Sequence, residues 1–238
     1  LILPETKESS LSFWLTPCDV GVSMGFLLQQ RLHDRRRLFL KRSIDLILCA
    51  LGAVLVVPVS LVLALAIRLD SRGPILYRQK RVGQGGREIM VHKFRTMARD
   101  ADVILEKYLA DNPDARDEWE RDHKLRRDPR ITRVGRFLRH TSLDELPQLI
   151  DVLAGNMSIV GPRPIVNEEI SKYGPVYSDY ILVKPGITGL WQVSGRNDTS
   201  YEERVAYDFY YINNWSIWMD IWILCRTVPV VILGRGAY

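Results

Sequence analysis

Residues Leu46–Ile67 read LILCALGAVLVVPVSLVLALAI, 22 residues without a charge, interrupted only by Gly52, Pro58 and Ser60. A straight helix of that length runs about 33 Å, enough for the hydrocarbon core of a bilayer. So long an uncharged run is rare in the buried helices of soluble domains, and the segment is read as membrane-embedded. Pro58 stands mid-segment, where it removes a backbone hydrogen bond and bends a helix. Both flanks are basic: Arg31, Arg35, Arg36, Arg37, Lys41 and Arg42 precede the run, and Arg68, Arg72, Arg78, Lys80 and Arg81 follow it. Positive residues stay on the cytoplasmic side. The pattern therefore predicts a re-entrant helix that dips in, bends at Pro58 and returns. The alternative is a straight span that leaves one basic flank on the far side.

On the N-terminal side the chain begins with Leu1, and nothing there resembles a cleaved secretion signal. Residues 1–38 read as the remnant of a larger N-terminal region followed by a basic linker, with the membrane helix over 39–72. From residue 73 the pattern is soluble α/β. Ile75–Tyr77 and Ile89–Phe94 are expected strands around the turn Gly83-Gln84-Gly85-Gly86. A charged helical stretch from Arg99 to Lys124 is interrupted near Asn112-Pro113, and Gly135 to Arg139 leads into a helix from about Asp144 to Leu153. Asn213–Gly234 is apolar but carries Asp220 and Arg226, and Trp215, Trp218 and Trp222 recur at helical spacing. Indole rings favour the headgroup boundary, so this reads as an interfacial amphipathic helix; a core helix with a tryptophan stripe is the alternative. The expected fold class is membrane-associated α/β: a re-entrant membrane helix, a small soluble α/β catalytic core over 73–238, and interfacial amphipathic helices.

Hydrophobic residues make up 47% of the 238 and charged residues 26%, which supports a folded core. The net charge of +5 favours anionic partners without choosing among nucleic acid, phosphorylated small molecules and an acidic membrane face. Cys18, Cys49 and Cys225 are scattered, which argues against a disulfide framework and for a reducing cytoplasm around the catalytic part. The four histidines make no zinc motif. The Gly83–Gly86 turn lacks the ending of a phosphate-binding P-loop, and no serine sits in a nucleophile elbow.

The segment Arg139-His140-Thr141-Ser142-Leu143-Asp144-Glu145-Leu146-Pro147-Gln148 places two adjacent carboxylates at an expected helix start. Ser142 and Glu145 match a capping box, although Pro147 then falls late in the first turn, and a start nearer Asp144 avoids that conflict. The dipole and free N–H groups there favour negative charge and tolerate a phosphate. An aspartate can attack phosphorus to give an acyl phosphate, and its neighbour could hold Mg²⁺. Simple capping explains the local pattern equally well. Cations beside turns add weight: Lys93 and Arg95 at a strand end, Arg139 before the acidic pair, Arg163 between two prolines, and Arg196 after Gly195. A guanidinium held between Pro162 and Pro164 suits bidentate phosphate contact. His140 could act as a base or be a surface histidine.

From Phe39 to Tyr238 these residues resemble the bacterial polyprenyl-phosphate sugar-1-phosphate transferases, the monotopic phosphoglycosyl transferases. The likeness is closest to the undecaprenyl-phosphate galactose phosphotransferase group. It is carried by Lys41-Arg42-Ser43-Ile44-Asp45, His92-Lys93-Phe94-Arg95-Thr96-Met97, Thr141–Leu149, Val160-Gly161-Pro162-Arg163-Pro164, Lys184–Asn197 and Tyr207–Tyr211, in the family order. The resemblance implies that Asp144 is the nucleophile and Glu145 the Mg²⁺ carboxylate. It also implies that Lys93, Arg139, Arg163, Arg196 and Asp208 belong to the active site. The implied reaction moves hexose 1-phosphate from a UDP-hexose, galactose first and glucose next, to undecaprenyl phosphate with release of UMP. It would start a capsule, exopolysaccharide or O-antigen unit at the cytoplasmic face of the bacterial inner membrane. The family's re-entrant helix breaks at Ser-Pro; here Val57-Pro58 keeps the proline and loses the hydroxyl, for which Ser60 could substitute by bonding a freed carbonyl. Larger relatives carry four transmembrane helices and a soluble domain ahead of this region, and a homodimer is left open. Two rivals from other classes are a non-catalytic membrane scaffold and a basic nucleic-acid-binding module. The membrane segment and the lack of a recognition motif weigh against the second.

Overall fold

A computed structural model describes residues 17–19, 24–26, 35–122, 125, 127–195 and 199–232 of the chain. Near the start, β1 (Pro17–Asp19) pairs antiparallel with β2 (Met24–Phe26). The apolar run then lies within one helix, α1 (Arg35–Asp70), continuous through Pro58. It is the one helix among the described residues long and apolar enough to cross a membrane, with mean hydropathy 2.9. Ser60 makes no side-chain hydrogen bond among the described residues, so its substitution for the missing hydroxyl before Pro58 is not realised.

Both arms of α1 rest on the same body. In the first arm Cys49 is buried with Val91, Val152 and Met157. In the second, Leu63 and Ile67 are buried with Phe94 and Leu138. Between them Leu51, Val54, Leu55, Val57, Leu61 and Val62 are exposed. Polar ties fix each end. Lys41 Nζ meets Asp220 at 2.7 Å, and Asp45 accepts from the Ser158 hydroxyl (2.8 Å) and the Ile159 amide (3.1 Å). At the far end Arg95 donates to the carbonyls of Arg72 (2.8 Å) and Ser71 (2.7 Å), and the Val134 amide donates to Asp70 (3.1 Å).

The Gly-rich turn closes a hairpin, as its sequence indicates: β3 (Leu76–Val82) pairs in antiparallel register with β4 (Glu88–Phe94), Tyr77 opposite Lys93. Arg78, Lys80 and Arg81 therefore lie on a strand. The charged stretch forms α2 (Ala101–Asp111) and α3 (Pro113–Asp122), broken at Asn112-Pro113 because the residue before proline is driven from helical angles. Gly135 does not merely lead into a helix but lies inside α4 (Arg133–Thr141), capped by the Thr132 side chain. A Cβ on Gly135 would collide with the Thr96 carbonyl, so glycine lets α4 press onto the chain leaving β4.

α4 stops at Ser142, whose left-handed backbone (φ 56°) turns the chain. A 3₁₀ turn over Leu143–Glu145 follows, then α5 (Gln148–Leu153). The Ser142 side chain caps nothing, so the expected capping box is not made. Pro147 sits at the N-cap of α5, where a missing N–H is harmless.

The parallel pair β5 (Ser158–Val160) and β6 (Gly186–Thr188) is joined through two one-turn helices, α6 (Ile170–Tyr173) and α7 (Tyr177–Tyr180). The chain ends with α8 (Leu190–Ser194), α9 (Tyr201–Asn214) and α10 (Ile217–Ile232). Tyr211, Ile212, Trp215, Met219 and Ile223 bury the α9–α10 junction against Val160 and Leu190. The three C-terminal tryptophans do not share a face. Trp215 is buried and donates to Asp220 (3.0 Å), Trp222 is half-buried beneath Arg226, and Trp218 is 71% exposed. The open stripe of α10 is instead Trp218, Ile221, Cys225 and Val228.

Candidate active site

The turn after Ser142 holds Asp144 and Glu145 at the meeting of α4, β4 and α5. Because β4 runs beside this turn, Lys93 reaches Glu145 at 2.6 Å. Close packing at Gly135 brings Arg139 to the Thr96 hydroxyl, to which its Nε donates at 2.9 Å. The Gly161-Pro162-Arg163-Pro164 loop is tied to the strand after it: the Gly161 amide donates to Thr188 (2.9 Å) and the Gly186 amide to Pro162 (2.7 Å). Tyr180 then fixes the loop, its hydroxyl 3.1 Å from the Arg163 carbonyl and accepting from the Ile165 amide at 3.2 Å. The Arg163 guanidinium stands 5.8 Å from the Trp191 ring centre.

These charges set the two carboxylates apart. Burial, then the Glu145 charge, pushes Asp144 up; Lys93 and Arg139 pull it back, leaving it at about 6. Burial also pushes Glu145 up, but Lys93, Arg163 and Arg81 together outweigh it and hold that carboxyl below the usual range. Glu145 is thus firmly ionised, while Asp144 is ionised at neutral pH yet unusually basic for an aspartate. Asp208 on α9 is fully buried, and burial lifts it to about 8 against the Tyr173 hydroxyl and the Arg163 charge. Tyr173 donates to Asp208 Oδ2 at 2.7 Å; Oδ1 has no hydrogen-bond partner among the described residues.

The structure brings Lys93, Arg139 and Arg163 to the acidic pair, with Asp208 behind Arg163. Arg196 lies outside the described residues. Arg95 is not in the site: it is buried and bound to the end of α1. His140 is exposed. Sequence reading missed Arg81, whose guanidinium donates to the Pro164 carbonyl (3.2 Å) and lies 3.8 Å from Glu169. Its strand position beside the turn, two residues before Gly83, was the available signal.

Among the described residues no three His, Cys, Asp or Glu side chains gather to hold a metal alone. Asp144 and Glu145 nonetheless fit Mg²⁺, which takes one or two carboxylates and fills its shell with water and substrate phosphate. After burial, the Glu145 charge raises Asp144, and a divalent cation would relieve that repulsion.

The profile of the bacterial sugar transferase family matches residues 36–234. The chain is 47% identical over 211 residues to an undecaprenyl-phosphate galactose phosphotransferase of Salmonella typhimurium, covering 89% of this chain and 44% of that protein. It is 44% identical over 198 residues to the exopolysaccharide production protein ExoY of Rhizobium meliloti, covering 83% of this chain and 88% of that protein. A UDP-glucose:undecaprenyl-phosphate glucose-1-phosphate transferase of Escherichia coli is 42% identical over 227 residues, covering 92% of this chain and 45% of that protein. The chain thus spans a little under half the length of the first and third of these relatives and most of the second.

Proposed function

The chain belongs to the bacterial sugar transferase family, and from that premise we propose that it transfers hexose 1-phosphate from a UDP-hexose to undecaprenyl phosphate by way of Asp144. The observation that carries this reading is the acidic pair Asp144–Glu145 held in a short 3₁₀ turn and faced by Lys93, Arg139 and Arg163. One carboxylate is kept basic and the other fully charged, which suits a nucleophile beside a metal ligand.

In the first step an Asp144 oxygen attacks the β-phosphorus of the UDP-hexose. The bond from that phosphorus to the oxygen bridging it to the α-phosphate breaks, and UMP leaves. In the second step a phosphate oxygen of undecaprenyl phosphate attacks the same phosphorus and the Asp144 carboxylate departs, giving undecaprenyl diphosphate hexose. Lys93, Arg139 and Arg163 offset charge gathering on the phosphoryl oxygens. Asp208, protonated near neutral pH, would donate from its unpartnered oxygen or steady Arg163. Glu145 would hold Mg²⁺, which would supply further charge neutralisation.

α1 is read as re-entrant, supported by the attachment of both its arms to one body and the exposure of the apolar residues between them. Phe137, Ile150 and Leu153 on α4 and α5 and the open stripe of α10 are exposed apolar residues as well, and are read as further interfacial contacts. Galactose is the first choice of hexose and glucose the second, in line with the substrates named in the relatives. The direct test is UDP-[³H]galactose with Mg²⁺ and no acceptor: a labelled adduct should form on the wild-type protein and vanish in Asp144→Asn. Transfer at the normal rate by that variant would remove Asp144 from the reaction.

A further inference from the structure

At the C-terminal end of α5, away from the acidic pair, two cations converge on one glycine. Arg42 donates to the carbonyls of Val152 (2.5 Å) and Leu153 (3.0 Å), the last turn of α5. A Cβ built on Gly155, which has φ +85°, would lie 3.7 Å from both Arg42 Nη2 and Lys184 Nζ. The missing side chain therefore leaves a gap into which both cations reach.

Local charges do not balance there. Lys184 Nζ has no hydrogen-bond or ion-pair partner among the described residues. Lys41 is paired with Asp220. Asp45, the remaining carboxylate near Lys184, has Oδ2 engaged by Ser158 and Oδ1 by the Ile159 amide. Among the described residues three cations thus face two carboxylates, and the uncompensated charge is half-buried, a costly state without a counter-ion. Burial, then Arg42, pulls the Lys184 ammonium below its ordinary range, with Asp45 opposing. Arg42 keeps N–H donors beyond the two it gives to α5, and an ammonium offers three.

The surroundings identify the class of anion. Leu46 and Ile47, one turn past Arg42 on α1, are exposed, as are Ile150 and Leu153 on the helix that Arg42 caps. Cations at the border of such an apolar surface sit at the height of lipid headgroups. We propose that Arg42 and Lys184, over Gly155, bind the phosphate of an anionic membrane lipid whose acyl chains lie along Leu46, Ile47, Ile150 and Leu153. This rests on α1 being membrane-embedded. The site is separate from phosphoryl transfer, since the α5 helix, about 9 Å of rise, stands between it and the acidic turn.

The test is the melting temperature of the delipidated full chain in neutral detergent, titrated with dioctanoyl phosphatidylglycerol, dioctanoyl phosphatidylcholine or inorganic phosphate. Phosphatidylglycerol should raise the wild-type midpoint saturably, and the other two should not. Lys184→Gln should lose that shift while Lys184→Arg keeps it, which separates charge loss from misfolding. An undiminished shift in Lys184→Gln overturns the proposal. So does inorganic phosphate matching the lipid, or phosphatidylcholine matching phosphatidylglycerol. Membrane embedding of α1 is read separately, from which side of the membrane labels on its flanks are reached.

Discussion

At the scale of single residues, the acidic pair works by contrast. Asp144 sits at about 6, lifted first by burial and then by Glu145. Its ionisation should therefore govern the acidic limb of kcat/KM, with an inflection near pH 6 in a profile measured with UDP-galactose. Lys93 lowers Asp144 and directly pairs Glu145, so Lys93→Met should reduce the rate and move that inflection to higher pH. The same shift has a stability consequence. Because the folded pKa lies above the ordinary 3.8, the folded state holds the proton more tightly, and stability falls as pH rises through that window and stays lower above it. Asp144→Asn removes the charged form and should raise the melting temperature at pH 7.5, with a smaller gain at pH 4.5. An inactive variant that is also more stable is the pattern of a site strained for function. Charge alone in the sequence did not say what each cation meets: Arg95 and Lys93 are two residues apart, yet one holds backbone carbonyls and the other a carboxylate.

At the scale of elements, α1 is the part whose placement matters most. Its first arm is held by the buried Lys41–Asp220 pair, with Tyr211 and Trp215 also donating to Asp220. Lys41→Met would leave that carboxylate without its cation and should cost on the order of 3–5 kcal/mol, measured as a loss of thermal stability in detergent. Cysteines placed on the two flanks of Leu46–Ile67 should react with an impermeant reagent from the cytoplasmic side only; reaction of either flank from the opposite side would establish a crossing. The hairpin at Gly83–Gly86 and the break at Asn112-Pro113 were legible because glycine and proline act through local backbone geometry. The turn at Ser142 was not, because Ser-x-x-Glu reads as a cap, whereas here the serine adopts the left-handed angles that end α4. The tryptophan spacing misled for a similar reason: Trp215 precedes α10 and belongs to its buried junction with α9.

At the scale of the whole molecule, the β3–β4 and β5–β6 ladders and a set of short helices form a frame in which the site draws on β4, α4, the turn before α5, the loop after β5, and α9. Such convergence is set by long-range packing: the sequence marked Lys93, Arg139 and Arg163 only as cations beside turns, Asp208 only through family resemblance, and Arg81 escaped both. Because the described residues offer two adjacent carboxylates at the site and no larger metal cluster, a metal there would depend on substrate phosphate to complete its shell. EDTA should accordingly stop UMP release from UDP-galactose, and Mg²⁺ should restore it. If transfer proceeds through a sugar phosphate held on the protein, the donor half of the reaction is separable from the acceptor half. Isotope exchange tests this most directly: with UDP-galactose, Mg²⁺ and no undecaprenyl phosphate, labelled UMP should be incorporated into UDP-galactose by the wild-type chain and not by Asp144→Asn. Exchange that occurs only when undecaprenyl phosphate is present would contradict it.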